Sequence, residues 1–185
     1  MTSLTWVPAL SRPELLAPAT AAALTRWMAD EPRVSTEVLV AEIDPAMSDT
    51  AALTEAYALV PSASANCVLV SGRREGVEKI AAAVVRATTR ADVNSTVKRL
   101  LDVRKASFLP MDRATADSGM EYGGITPVGL PEAYRVLVDA RVVRDDDEAG
   151  AVVVLGSGVR RSKISMPGAL LATMPGVEVV EGLAV

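Results

Sequence analysis

Apolar residues recur at two different spacings along this chain, and the changes between them lay out its elements. Leu15, Leu16, Ala19, Ala23, Leu24 and Trp27 return at helical intervals, which predicts an amphipathic helix over 12–30. Ser11 is its expected N-cap, Pro13 suits its first turn, and Glu31-Pro32 ends it. A strand is expected over 36–43, stopped by Asp44-Pro45, and a helix from Ser48 or Asp49 to about Ala58. Next come a short apolar strand at 67–71 and a turn at 71–76. The stretch 78–87 is ambiguous. Its three alanines favour helix, whereas Ile80, Val84, Val85 and the Gly-bounded turn before it favour the second strand of a hairpin. Asp92 is placed to cap a helix to about Asp102, followed by a strand at 105–109 and a helix at 111–119 ending at Gly119. Residues 122–131 hold too much Gly and Pro for regular structure. Strands follow at 134–138, 151–155 and 162–166, then a helix at about 167–174 and a strand at 177–181. Strands and helices mix without strict alternation, so a mixed α/β chain with a mixed sheet or barrel fits better than a doubly wound fold.

Composition narrows the chemistry. The chain has 185 residues, half of them hydrophobic, enough for one domain with a real core and too apolar for a disordered segment. No apolar run is long enough to span a membrane, and the N-terminus lacks a basic start followed by an apolar block, so a cytoplasmic protein is expected. There is no histidine, which excludes Ser-His-Asp, Cys-His and His-metal mechanisms. A single cysteine, Cys67, excludes an internal disulfide and a cysteine-cluster zinc site. Only a carboxylate site for Mg²⁺ or Ca²⁺ stays formally open, and the acidic run Asp145-Asp146-Asp147-Glu148 reads as a solvated turn. No metal and no cofactor are expected. Catalysis must then draw on backbone amides, hydroxyls, carboxylates, side-chain amides, Lys or Arg. A net charge of −4 argues against a general nucleic-acid binder. Locally, however, Arg86, Arg90, Lys98, Arg99, Arg104 and Lys105 face only Asp92 and Asp102, and Arg160, Arg161 and Lys163 form a second basic cluster. Arginine-rich patches of this kind suit phosphate contacts.

Several of these segments carry a resemblance. Ser118-Gly119, then Gly123-Gly124-Ile125-Thr126-Pro127-Val128-Gly129, then the apolar strand ending at Asp139, resemble the YbaK/EbsC family of aminoacyl-tRNA deacylases. That family includes ProX and the editing insertion domain of bacterial prolyl-tRNA synthetase. The likeness extends in register through Asp44-Pro45-Ala46, the strand at 66–70, Asp92-Val93, Arg104-Lys105 and Gly158-Val159-Arg160-Arg161. It covers about residue 34 to the C-terminus. The resemblance implies a mixed parallel and antiparallel β-barrel or curved sheet of about seven strands surrounded by helices. It makes 78–87 a strand paired with 67–71, and the chain 1–185 a single domain with 1–33 as a helical extension packed on it. The implied function is trans-editing hydrolysis of a mischarged aminoacyl-tRNA ester, with tRNA as partner and an aminoacyl-tRNA synthetase as a second candidate. The alternative is a catalytically altered or inactive module that binds a tRNA end or a small amino-acid or nucleotide ligand.

The same resemblance implies a site. The loop from Gly123 to Pro127 is the family's substrate-binding element. Glycines there let backbone N–H groups approach a ligand closely, with positive φ expected at Gly123 or Gly124. One or two of the 123–126 amides are expected to be free of protein partners and to hold a carbonyl oxygen or oxyanion. The family's catalytic lysine falls at Asn66, and its acidic residue after the distal turn falls at Lys163. The expected catalytic positions are thus Asn66, Gly123, Gly124 and Lys163, with Ile125, Thr126, Pro127, Ser157, Gly158, Arg160 and Arg161 binding substrate. If Asn66 and Lys163 share a pocket, the cation has moved across the site. Cys67 is expected to point away from the Asn66 face as a buried structural thiol.

Overall fold

A computed structural model describes residues 4–144 and 152–185. Its elements are β1 (Val7–Pro8), α1 (Pro18–Asp30), α2 (Val34–Glu37), β2 (Leu39–Glu42), α3 (Thr50–Tyr57), β3 (Ala65–Arg74), β4 (Val77–Arg86) and α4 (Lys98–Leu101). They continue as β5 (Ala106–Phe108), α5 (Met111–Ser118), β6 (Tyr134–Asp139), α6 (Ala140–Val143), β7 (Val152–Gly156), β8 (Ser162–Pro167), α7 (Gly168–Leu171) and β9 (Val177–Val180). The architecture is mixed α/β. One sheet of four strands has the order β1-β2-β8-β7 and is antiparallel throughout. The other has five strands in the order β5-β3-β4-β6-β9, with β4-β6 and β6-β9 parallel. Ser64 bridges to Val154, so the start of β3 lies against β7 of the other sheet.

The hairpin β3-β4 settles the ambiguity at 78–87 in favour of strand: Cys67 pairs with Val84 and Ser71 with Ile80. Ala81, Ala82 and Ala83 are completely buried, because the central strand is covered on both faces and only small side chains fit there. Helix propensity of three alanines loses to that packing. The turn is narrower than the expected 71–76. Pairing runs on to Arg74 and Val77, and the reversal is made at Glu75 and Gly76, both at positive φ.

Other boundaries also moved. The helix expected over 12–30 begins only at Pro18, after two short 3₁₀ turns at Ala9–Ser11 and Pro13–Leu15. Proline has no N–H to continue a helix through position 18, so it takes the first helical position and Ala17 the N-cap. The strand expected at 36–43 is shortened to Leu39–Glu42 by the helical turn of α2. Asp92 caps its helix as expected, accepting from the Ser95 and Thr96 N–H groups, but the first part is a π turn at Val93–Val97. The helix expected at 167–174 is a single turn. Nine strands form among the described residues, in two sheets with no closed barrel, instead of about seven. The acidic run at 145–148, and residue 151 of the strand expected at 151–155, lie outside the described residues.

The largest core cluster sits between the four-stranded sheet and α1. Leu15, Leu16, Leu24 and Trp27 pack with Val40, Val153, Leu155, Ile164 and Leu170. Arg86 is buried at the end of β4, where it donates to the carbonyls of Ala63, Val142 and Val152 and so stands apart from the exposed basic residues that follow it. Among the described residues no helix is long and apolar enough to cross a membrane.

Candidate functional site

The two sheets meet where β3 starts, β7 ends and β8 starts, and there the backbone is drawn unusually close. Gly156, last residue of β7, pairs with Lys163 of β8. A Cβ on Gly156 would stand 2.3 Å from the Gly124 carbonyl oxygen and 2.6 Å from that of Ile125, so glycine is what lets the 119–129 loop lie on the sheet. A Cβ on Gly124 would in turn meet the Val159 backbone at 2.7 Å. The two loops are tied together by Gly158 N–H to Gly124 O (2.7 Å) and Glu121 N–H to Gly158 O (2.9 Å). The Arg160 N–H donates to the Glu121 carboxylate at 2.6 Å, and its guanidinium donates to the Pro45 carbonyl at 3.0 Å and lies 5.6 Å from the Tyr122 ring centroid.

A cavity of about 230 Å³ opens at this junction. Its floor is apolar, from Leu53, Ala65, Val154 and Leu155; Met111, Tyr122, Gly123 and Ile125 border it on the loop side, and Ser48, Asp49, Thr50, Asn66 and Lys163 supply polar groups. Lys163 is only 7% exposed. Its ammonium donates to the Ser48 carbonyl at 2.9 Å and to the Gly123 carbonyl at 3.3 Å, which leaves one of its three N–H donors. Burial pushes its pKa down from 10.5 to about 8; Asp49 partly opposes the shift and Arg160 adds to it. Asn66, half-buried at the start of β3, accepts from the Thr50 hydroxyl at 3.0 Å. Gly123 has φ +80°, and neither its N–H nor that of Ile125 has a partner among the described residues. The Gly124 N–H is taken by the Glu121 carbonyl and the Thr126 N–H by the Met120 sulfur.

The structure therefore brings Asn66, Lys163, Gly123 and Ile125 to one cavity. The remaining candidates lie elsewhere. Gly124 and Gly158 hold the two loops together, and Thr126 is fully buried. Pro127 borders a different cavity, beside Trp27 and Leu130. The Ser157 hydroxyl is within 2.7 Å of the Ser162 hydroxyl inside the protein. Arg160 fixes the loop at Tyr122, while Arg161 donates to the Glu14 carbonyl at 2.5 Å. Cys67 borders the cavity alongside Asn66, although alternation along β3 was expected to separate them, and it is half-buried where a buried thiol was expected. Burial raises its thiol pKa to about 12, which disfavours the reactive thiolate. Ser48, Asp49 and Thr50 escaped sequence reasoning. The helix-capping pattern that marks them says nothing about which cavity a cap borders. Among the described residues no group of His, Cys, Asp and Glu could hold a metal ion.

Among solved structures the fold is similar to "hypothetical protein APE2540", with a TM-score of 0.71 and 16% identity over 88% of this chain and 99% of that one. It is also similar to a candidate trans-editing enzyme for prolyl tRNA synthetase, with a TM-score of 0.68 and 15% identity over 90% of this chain and 97% of that one. A search of curated proteins gives no significant match. The aminoacyl-tRNA editing domain matches residues 44–173, a span that holds every polar residue bordering the cavity, and the chain belongs to that family.

Proposed function

We propose that this protein is an aminoacyl-tRNA deacylase that hydrolyses the ester of a mischarged aminoacyl-tRNA in trans, and that Lys163 supplies the charge at its site. The observation that carries this reading is the buried Lys163 ammonium, which borders the same cavity as Asn66 with one donor unspent. Water adds to the ester carbonyl, and negative charge develops on its oxygen. The N–H groups of Gly123 and Ile125 and the third N–H of Lys163 are the donors available to that oxyanion. The bond from the acyl carbon to the terminal ribose oxygen then breaks. One proton of the water ends on that oxygen, and the acid formed releases the other. Asn66, in place of the lysine expected from the resemblance, can hydrogen-bond but adds no charge.

The exposed side chains of Arg90, Arg99, Arg104 and Lys105 have no ion-pair partner among the described residues, and they are the proposed contacts to the tRNA backbone. The apolar side chains shared between α1 and the sheet support reading residues 1–33 as part of one editing unit. A synthetase partner belongs to the same proposal, supported by the structural likeness to a candidate trans-editing enzyme.

Release of amino acid from alanine-, cysteine- and serine-charged tRNAs by the purified protein tests the activity. Lys163→Met should lower turnover or binding about 10- to 150-fold, the size of a lost charge-assisted contact. Arg73→Met, on an exposed strand end remote from the cavity, should leave both unchanged. Binding of tRNA without release from any of the three would instead favour a module that binds without hydrolysing, the reading that a neutral Asn66 supports.

A further inference from the structure

The charges on the cavity wall are few. Among the described residues that border it, Asp49 is the only acid and Lys163 the only base. They differ in what they already do. Lys163 is buried and spends two donors on carbonyls. Asp49 is exposed at the rim. One of its oxygens accepts from the Ala51 N–H at 3.0 Å as the N-cap of α3, and its carboxylate has no ion-pair partner among the described residues.

The residues on either side of Asp49 add acceptors. The Ser48 hydroxyl is buried and has no hydrogen-bond partner among the described residues, although its residue is only 3% exposed. A buried hydroxyl without a partner is costly in a folded protein unless something else satisfies it. The Thr50 hydroxyl spends its proton on Asn66, which leaves its oxygen lone pairs open. Ser48, Asp49 and Thr50 are thus three consecutive oxygen-bearing residues that all border the cavity. An ammonium group, with three N–H donors and a positive charge, is the complement of that set.

Resting on the deacylase reading above, we propose that Ser48, Asp49 and Thr50 bind the free α-ammonium of the aminoacyl group, and that Asp49 makes the site select esters with an unblocked amine over N-acylated ones. The acyl side chain then faces the apolar floor of Leu53, Ala65 and Leu155, and the ester carbonyl faces Lys163 and Gly123. Positive meets negative at one end of the reacting group, and partial negative meets positive at the other. An N-acylated substrate would leave the Asp49 charge uncompensated against a neutral amide, and it would bring added bulk to a cavity of about 230 Å³.

The test measures binding, so it does not depend on turnover. The probes are 3′-alanylamino-3′-deoxyadenosine, which has an amide in place of the ester, and its N-acetyl derivative. Calorimetry at pH 6.5 keeps the amine charged. Wild-type protein is expected to bind the free amine about 10- to 100-fold more tightly than the N-acetyl form, as charge-assisted contacts imply. Asp49→Asn, which can still cap α3, should bring that ratio close to one. A ratio near one in the wild-type protein, a ratio unchanged in Asp49→Asn, or binding of neither probe overturns the inference. Release of amino acid from charged tRNA by the wild-type protein decides the deacylase reading separately.

Discussion

Replacing Lys163 with methionine separates what the residue does for the site from what it costs the fold. Met has a similar length and no charge, so the cavity wall keeps most of its volume. Burial lowers the Lys163 pKa from 10.5 to about 8, so the folded protein holds this proton less tightly than the unfolded chain does. Between those two values the unfolded state binds more protons, and stability attributable to Lys163 must rise with pH. Below pH 8 the charged lysine costs the fold roughly 3 kcal/mol, since each tenfold loss in proton affinity is worth about 1.4 kcal/mol. Between pH 7 and pH 10 the wild-type protein should regain about 2–3 kcal/mol relative to Lys163→Met, because other titrating groups cancel in the difference. The two hydrogen bonds to the Ser48 and Gly123 carbonyls add an offset that does not change sign, since neutral lysine still donates. The assay is urea unfolding of both proteins at pH 7, 8, 9 and 10, with the difference in unfolding free energy plotted against pH. A flat difference, or a wild type that loses ground as pH rises, would falsify the burial of a charged lysine at this site.

Three further outcomes follow from the geometry. Gly124→Ala should lower stability by about 1–3 kcal/mol in thermal unfolding, because its Cβ would stand 2.7 Å from the Val159 backbone and neither loop can yield without the other. Gly119→Ala, at φ +66° with open space around it, should lose only about 1 kcal/mol; equal losses at both positions would contradict the close approach. The Cys67 thiol, raised to about 12 by burial, should resist iodoacetamide at pH 7.5 in the native protein and react readily in urea, with turnover intact in Cys67→Ala. Asp139 is 1% exposed and accepts from the Arg141 side chain and from the Arg141 and Ala184 N–H groups, which together outweigh desolvation and hold its pKa below 3.8. Its stabilisation is complete above that ordinary value and is lost as pH falls through the lower folded one. Asp139→Asn should therefore cost about 1–3 kcal/mol at pH 7, with the gap to wild type closing only in strong acid.

Local chemistry was legible in the chain wherever one residue's backbone preference decides the outcome. Asp49 and Asp92 cap the helices that follow them, Gly119 ends α5 in the left-handed region, and Pro110 precedes the first residue of α5. The absence of histidine and the lone cysteine fixed which chemistries the site could use, whatever the fold. The glycine-rich 123–129 loop was visible as a place where backbone approaches something closely. That the something includes Gly156 and Val159 depended on two strands distant in sequence, which no local pattern encodes. Three alanines at 81–83 form strand because β3 and β6 flank them on both sides. Pro18, which has no N–H to offer a helix from further back, starts α1, and the turns before it dock Leu15 and Leu16 into the core. The site follows the same division. Lys163 could be picked out as a residue type at a suggestive position, but whether a lysine faces solvent or a cavity is a matter of long-range packing. Here the pairing of β8 with β2 and β7, and the carbonyls of Ser48 and Gly123, decide it. A side chain's identity is local, whereas its dielectric surroundings, and therefore its pKa and its partners, belong to the folded chain as a whole.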